Sequence, residues 1–446
     1  MERGTNLTEG SIWRKFIVYV IPIILSGFLQ QLYNAADTIV VGKFVGDVAL
    51  AAVGSTTALA SLIITLFMGL SVGTNVVCAR FFGAENGQGL EKALHTSILL
   101  GVVLGIPLTL VGWFGSKYFL QLMGTPADVI EYATLYMKIY FLGVTANLIY
   151  NFGSAVMRAM GDTKRPLYIL SVAGIANVLL NLVCVLVFKL GVVGVAVGTV
   201  VSQVLSAIAV IFIFIKNKYG IKLSISKLRF YKKELMMVLS IGIPSGINGI
   251  LFNLSNTLTQ SAINSFGKTI MAGHSVAWNF MTFSYLIVAA GEQATAAFVG
   301  QNMGARKYSR IDESVKCALT FIGLITIAFS VLVVSRGRFF LGIFTNDALV
   351  VEKGLVLLYT CITVYVLYVP GLIFGAALRG IGKAVLPTVI NIVGICALRV
   401  AWVMFVWPLK PTLEMVYYSF PLSWIASGAA MLIAYTAVRR TLPKSV

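Results

Sequence analysis

The chain has 446 residues, 58% of them hydrophobic and only 11% charged, with a net charge of +18. A soluble domain carries about twice that charge, and the apolar runs are too long and too numerous for barrel strands. The basic surplus would suit nucleic acid, but it falls in alternate loops, the pattern of a polytopic membrane protein rather than a nucleic-acid binder.

Runs of roughly 20 apolar residues, each long enough to cross a bilayer, predict an all-α membrane protein. Twelve transmembrane helices are read at approximately 15–38, 48–78, 93–115, 131–157, 166–188, 192–215, 236–263, 270–300, 315–335, 353–377, 386–407 and 415–438. One side collects 24 of the 34 Lys and Arg residues, among them Arg3, Arg14, Lys15, Arg158, the run from Lys216 to Lys233, Arg379 and Lys444. The other side holds nine, and Arg399 falls inside a span. That asymmetry predicts both termini in the cytoplasm. No cleavable signal peptide is read, because the first apolar run is too long for one and lacks a small-residue cleavage site. The five cysteines (78, 184, 317, 361 and 396) form no CxxC or metal spacing and read as packing residues.

The first span closes on "QQLYNAADTIVVG", Gln30 to Gly42. Ser26, Gln30, Asn34 and Asp37 follow at steps of four, four and three, so they share a helix face. A carboxylate inside a span is costly and faces a cavity or a partner. The alternative is that the span ends early and Asp37 caps it in headgroup water, which "TIVVG" running on beyond it opposes. Asp37 is therefore a candidate proton carrier, or a ligand for Na⁺ with neighbouring oxygens.

Asn177 and Asn181 stand i,i+4 on the fifth span, and Thr199, Gln203 and Ser206 follow on the sixth. They are either neighbours of Asp37 or interhelical hydrogen-bonding residues. In the eighth span "VAAGEQATAAFVG" carries Glu292, a candidate for a second ion site, for attracting cationic substrate, or for an ion pair. Arg399, the one base read inside a span, is its expected partner by sign. Met157, Met160, Met236 and Met237 with Phe280, Met281, Phe283 and Tyr285 either line an adaptable cavity or simply pack. His95 is expected at the interface and His274 buried and neutral. Pro22, Pro107, Pro244 and Pro370 are candidate kinks.

The second half repeats the first. "IPIILSGFLQQLYNAADTIV" from Ile21 aligns with "IPSGINGILFNLSNTLTQSA" from Ile243, "FFGAENGQ" with "NMGARKYS", and "GSAVMRAMGDTKRPLYI" with "GAALRGIGKAVLPTVI", always 221 or 222 residues apart. Six spans per repeat return the chain to its starting side, so the repeats are parallel and face each other across a central cleft. The reading is an N-lobe over 1–215, a basic linker over 216–235 and a C-lobe over 236–446. Across the offset Asp37 becomes Thr259, Gln30 becomes Phe252 and Asn34 becomes Asn256. A carboxylate needed by the architecture would occur in both lobes, whereas a coupling site needs it once.

The ordered set of Pro22, Gln30-Gln31 and Asp37, "GAEN" after the second span, "MRAMGDTKRP" entering the fifth and "NVLLN" within it, with their C-half counterparts, resembles the multidrug and toxic compound extrusion (MATE) family over essentially the whole chain. The resemblance implies a secondary transporter exporting cationic or amphipathic compounds in exchange for H⁺ or Na⁺. It also implies a prokaryotic branch whose N-lobe site joins a first-span Asp to an Asn, an acidic residue four later and a Thr. Asn177 and Thr199 match, while Asn181 stands in place of the second acid.

Asp37, Asn34, Asn177, Asn181 and Thr199 are thus the candidate cation-coupling residues. Glu292, Gln30, Gln203, Arg399, Asn256 and Met281 are candidates for a second site or substrate cavity. No nucleophile set, phosphate loop, structural metal cluster or cofactor motif is read. The expected partners are small cationic or amphipathic molecules and membrane lipid, with no nucleic acid, and the chain is expected to be a monomer in a bacterial inner membrane. The rival reading is a lipid-linked oligosaccharide or polyisoprenoid flippase. A passive channel or receptor is opposed by the duplicated bundles.

Overall fold

The computed structural model describes residues 5–216 and 219–443, apart from the side chains of 57–63. Arg3, Lys218 and Lys444, counted above among the basic residues, lie outside them. Among the described residues the regular structure is helical throughout. That follows from apolar sequence in a medium without water, where each segment must satisfy its own backbone hydrogen bonds.

We number the twelve membrane helices α1 (Ile12–Phe44), α2 (Asp47–Gly83), α3 (Gly87–Leu122), α4 (Ile130–Leu142 with Val144–Ala159), α5 (Lys164–Val187), α6 (Val192–Ile215), α7 (Lys232–Asn264), α8 (Lys268–Gly304), α9 (Tyr308–Ser335), α10 (Ala348–Ile362 with Tyr365–Ile381), α11 (Val385–Leu409) and α12 (Leu413–Thr441). Helices α4 and α10 bend by 43° and 40° at their breaks. Helix α8 is 37 residues long but has no continuous 18-residue stretch as apolar as those of the other spans, because it carries His274, Glu292 and a polar last turn through Gln301 and Asn302. Its length spans a bilayer regardless.

The duplication is visible in the backbone. Left-handed residues recur 221 positions apart: Gly46 (φ 113°) with Gly267 (92°), Glu85 (54°) with Arg306 (58°), and Gly161 (82°) with Gly382 (91°). Each pair marks the same turn in its repeat, and two of the three use glycine, which adopts positive φ at no steric cost. Wide π-helical turns also recur in the fifth helix of each repeat, at Val183–Val187 in α5 and Ile392–Ala397 in α11.

Two compact units emerge. One comprises Leu25–Gly242 with the described start of the chain through Asn6, the other Leu7–Ile24 and Ile243–Val446. Both divisions fall within helices, α1 and α7, close to Pro22 and Pro244. A proline inside a helix removes one backbone hydrogen bond and crowds the preceding turn.

The first unit includes the linker between α6 and α7. Its Tyr219 hydroxyl donates to Asp162 Oδ2 at 2.7 Å. The backbone N–H of Ser224 donates to His95 Nε2 at 3.0 Å, and that of Tyr231 to Thr96 Oγ1 at 3.2 Å. Since His95 Nδ1 is 2.8 Å from the Glu91 carbonyl, the ring is a neutral Nδ1–H tautomer serving both contacts. His95, expected at the interface, is only 1% exposed. The linker covers it, a contact between residues 129 apart that local sequence does not show.

The second unit ties the chain start to the far end of α8. Leu7 N–H donates to Gln301 Oε1 at 2.8 Å, Lys307 Nζ to the Thr8 carbonyl at 3.1 Å, and Phe16 packs 5.4 Å from the Phe298 ring. His274 is buried, as expected, with Nδ1 3.0 Å from the Tyr417 hydroxyl.

Candidate functional site

Helix α1 runs on to Phe44, so Asp37 lies two turns inside it and does not cap it. Beyond Asp37, Val40 and Val41 turn into an apolar cluster with Val53, Tyr136, Val185, Val192 and Val195. This cluster anchors the end of α1 against α2, α4, α5 and α6. Burial on that side holds Asp37 against α5 and α6, with Tyr136 and Tyr140 of α4 in electrostatic range.

The carboxylate receives two amides. Asn181 Nδ2 donates to Asp37 Oδ1 at 2.5 Å. The Asn177 amide, oriented with its nitrogen toward the carboxylate, donates to the same oxygen at 2.9 Å while its own oxygen accepts from the Thr199 N–H at 3.3 Å. The Thr199 side chain lies against the same carboxyl group. Asn177, Asn181, Thr199 and Asp37 are thereby gathered from three helices. Among the described residues no donor reaches Asn181 Oδ1, which presses on Gly198, where a Cβ would lie 2.0 Å away. Gln203 reaches instead toward the bend of α4. Its Oε1 would be 2.2 Å from a Cβ on Gly143, so the glycine at the break admits it.

Asn34 and Gln30 share the helix with Asp37 but are exposed, and Asn34 Nδ2 donates to Gln31 Oε1 at 3.4 Å. Helical spacing puts them on one stripe. The neighbouring helices cover only its end.

The close approach of α1 and α5 depends on Gly174. A Cβ there would lie 1.9 Å from the Tyr33 ring, whose hydroxyl is held by the Ser171 carbonyl at 3.2 Å. Gly174→Ala should therefore separate α5 from α1 and pull Asn177 off Asp37. An overpacked core site costs about 1–3 kcal/mol. Thermal unfolding of the single variant and of Gly174→Ala with Tyr33→Ala checks this, the second change restoring the room lost in the first.

In the second unit Glu292 pairs with Arg379 of α10, not with Arg399. Hydropathy puts Arg379 in a loop, yet its side chain is 3% exposed and that of Glu292 24%. The cause lies beside it: a Cβ on Gly380 would meet Val299 of α8 at 2.8 Å, so the small-residue run of α10 draws the two helices together and carries Arg379 inward. The available signal was the sequence "FGAALRGIG", in which apolar and small residues flank the arginine on both sides. Arg399 lies elsewhere in the unit. Its Nε donates to Ser423 Oγ and its Nη1 to Asn256 Oδ1, both at 2.9 Å. Met281, Met157 and Met160 are buried in their own units, and Phe280 packs on Phe340 and Phe344, so these side chains pack.

Comparison with known proteins agrees with this architecture. The protein-family model described as MatE matches residues 22–183 and again residues 244–404, one match per repeat and more than two-thirds of the chain together. The probable multidrug resistance protein YoeA of Bacillus subtilis is 27% identical over 429 residues, spanning 94% of this chain and 92% of that protein. The multidrug export protein MepA of Staphylococcus saprophyticus is 23% identical over 96% of this chain and 94% of its own length. A solved MOP superfamily transporter from Pyrococcus furiosus has the same fold, with a TM-score of 0.93 at 22% identity over 100% of both chains. Matched twice, in register with its own internal repeat, the chain belongs to the MatE family, that of the multidrug and toxic compound extrusion transporters.

Proposed function

We propose that the protein is a secondary active antiporter that exports cationic or amphipathic compounds in exchange for H⁺ or Na⁺ by alternating access, with Asp37 as the coupling carboxylate. The observation that carries this reading is the set around Asp37. One carboxylate, absent from the repeat's equivalent position Thr259, receives two amide donors and touches a threonine on three helices. A lone acid in a span is an ion or proton site by default. The unpartnered Asn181 oxygen beside it supports a hard-cation arm, since Na⁺-like ions take oxygen ligands. The single acid, with amides at its flank, equally supports a proton arm.

Neutralising Asp37 from the outer side removes the negative charge that a cationic cargo would share. Cargo and coupling ion then alternate at the same charge. The basic-residue asymmetry supports cytoplasmic termini, and the bacterial relatives named as multidrug resistance and export proteins support drug-like cargo; the proposal further takes the chain as a monomer without cofactor in a bacterial inner membrane.

Reconstitution into liposomes with ethidium, under a proton gradient and a sodium gradient applied separately, tests the proposal. Uphill ethidium movement driven by one gradient is the expected result and names the ion. Strictly downhill movement, indifferent to both gradients, would overturn antiport.

A further inference from the structure

Arg399 is 1% exposed, and among the described residues no carboxylate pairs with it. Among the described residues the ion pairs of its unit join Arg379 to Glu292, Arg439 to Asp312, Arg338 to Glu352 and Lys307 to Glu9, and none includes Arg399. Its hydrogen-bond acceptors, Ser423 and Asn256, are both neutral. The guanidinium has five N–H donors, of which two have acceptors among the described residues. A cation taken out of water without a counter-charge is strongly unfavourable.

The surroundings are aromatic. The guanidinium carbon lies 4.4 Å from the Phe420 ring centre and 5.6 Å from that of Phe252. Phe252 stacks nearly parallel on Tyr285 and on Tyr368, each at 6.5 Å. Tyr285 is 39% exposed, so the stack has an open end. Arg399 itself sits in a short α-helical stretch, Leu398–Ala401, between the π-helical turns Ile392–Ala397 and Trp402–Val406. Such turns are frequent at functional sites.

In each repeat the first helix meets the fifth, α1 with α5 at Asp37 and Asn181 and α7 with α11 at Asn256 and Arg399, and Asn256 is the repeat counterpart of Asn34, one turn before Asp37. The first unit places a carboxylate with amide donors there, and the second a guanidinium with an amide oxygen and aromatic rings. The two crossings of first and fifth helix carry opposite charges.

We infer that the C-terminal unit binds an aromatic carboxylate, its carboxylate on Arg399 beside Asn256 and its ring against Phe252 and Tyr285. The site takes its purpose, a class of anionic cargo, from the transport reading, but its binding chemistry stands without it. The test is equilibrium dialysis of the full-length protein in non-ionic detergent, with no gradient present, using 2-naphthoate, 2-naphthalenemethanol and decanoate. Ethidium efflux reports the antiport reading separately, so either can fail alone.

A charge-assisted pairing predicts that naphthoate binds about tenfold more tightly than the alcohol. Arg399→Gln should abolish that preference, and Asn256→Leu should reduce it while leaving the alcohol unaffected. Asn256 is partly exposed and decides the matter if Arg399→Gln does not fold. Equal binding of acid and alcohol by the wild type, or a preference that survives Asn256→Leu undiminished, would overturn the site. Decanoate binding as tightly as naphthoate would overturn its aromatic half.

Discussion

Asp37→Asn should fold, reach the membrane and lose gradient-driven ethidium efflux down to the level of empty liposomes. The asparagine has the shape of the aspartate, and its side-chain oxygen can still accept from Asn181, now 2.5 Å from the carboxylate. The change is thus confined to a charge and to a hydrogen bond whose net worth falls to that of a neutral pair, about 1 kcal/mol. Helix packing is untouched, because Val40 and Val41 hold this part of α1 in its apolar cluster. What the variant lacks is the ability to exist in two charge states, and an exchanger that cannot alternate charge has nothing to couple. Thermal unfolding should shift by only a few degrees while efflux vanishes. Wild-type efflux from Asp37→Asn would remove the coupling role from this residue and leave the amide cluster as a packing device.

The second large effect concerns stability. Arg379→Met should be severely destabilising, by about 3–5 kcal/mol, because it strands Glu292 inside the bundle without its counter-ion. Glu292→Leu alone strands Arg379 in the same way. Together the two changes replace a buried pair by apolar groups of similar bulk, which is often close to neutral, so the double variant should recover most of the loss. Thermal melts of the two single variants and the double one in the same detergent provide the cycle. Purely additive losses would show that the pair contributes nothing as a pair. The same cycle with Arg399 in place of Arg379 should be additive, since Arg399 hydrogen-bonds Ser423 and Asn256 rather than Glu292.

That contrast shows why the sign of a charge is a poor guide to its partner. Sign alone matches Arg399, the one base that hydropathy puts inside a span, with Glu292. The choice was made instead by helix spacing: Gly380 lets α10 press on α8, and Arg379, one residue away, is carried inward with it. A hydropathy profile places a helix end to within a turn, which is the whole difference between a loop arginine and a buried one. Similarly, periodicity grouped Gln30, Asn34 and Asp37 on one stripe, but only the end of that stripe is covered by α5 and α6. The amides that reach the carboxylate, Asn177 and Asn181, came from i,i+4 spacing on another helix and from the family resemblance.

By itself the amino-acid sequence determined the membrane class, the twelve helices, the duplication and the family. These rest on hydropathy summed over tens of residues and on motifs in register, quantities that no single contact can upset. It also pointed to Asp37, because an acid in an apolar run is costly wherever the helix packs. The tertiary structure decided which polar groups meet. Asn181 and Asn177 on Asp37, Arg379 on Glu292, Asn256 and Ser423 on Arg399, and the linker over His95 all join residues far apart in the chain. Their geometry depends on how closely helices approach, and that is set by small residues such as Gly174, Gly198 and Gly380 and by the ring or amide packed against each.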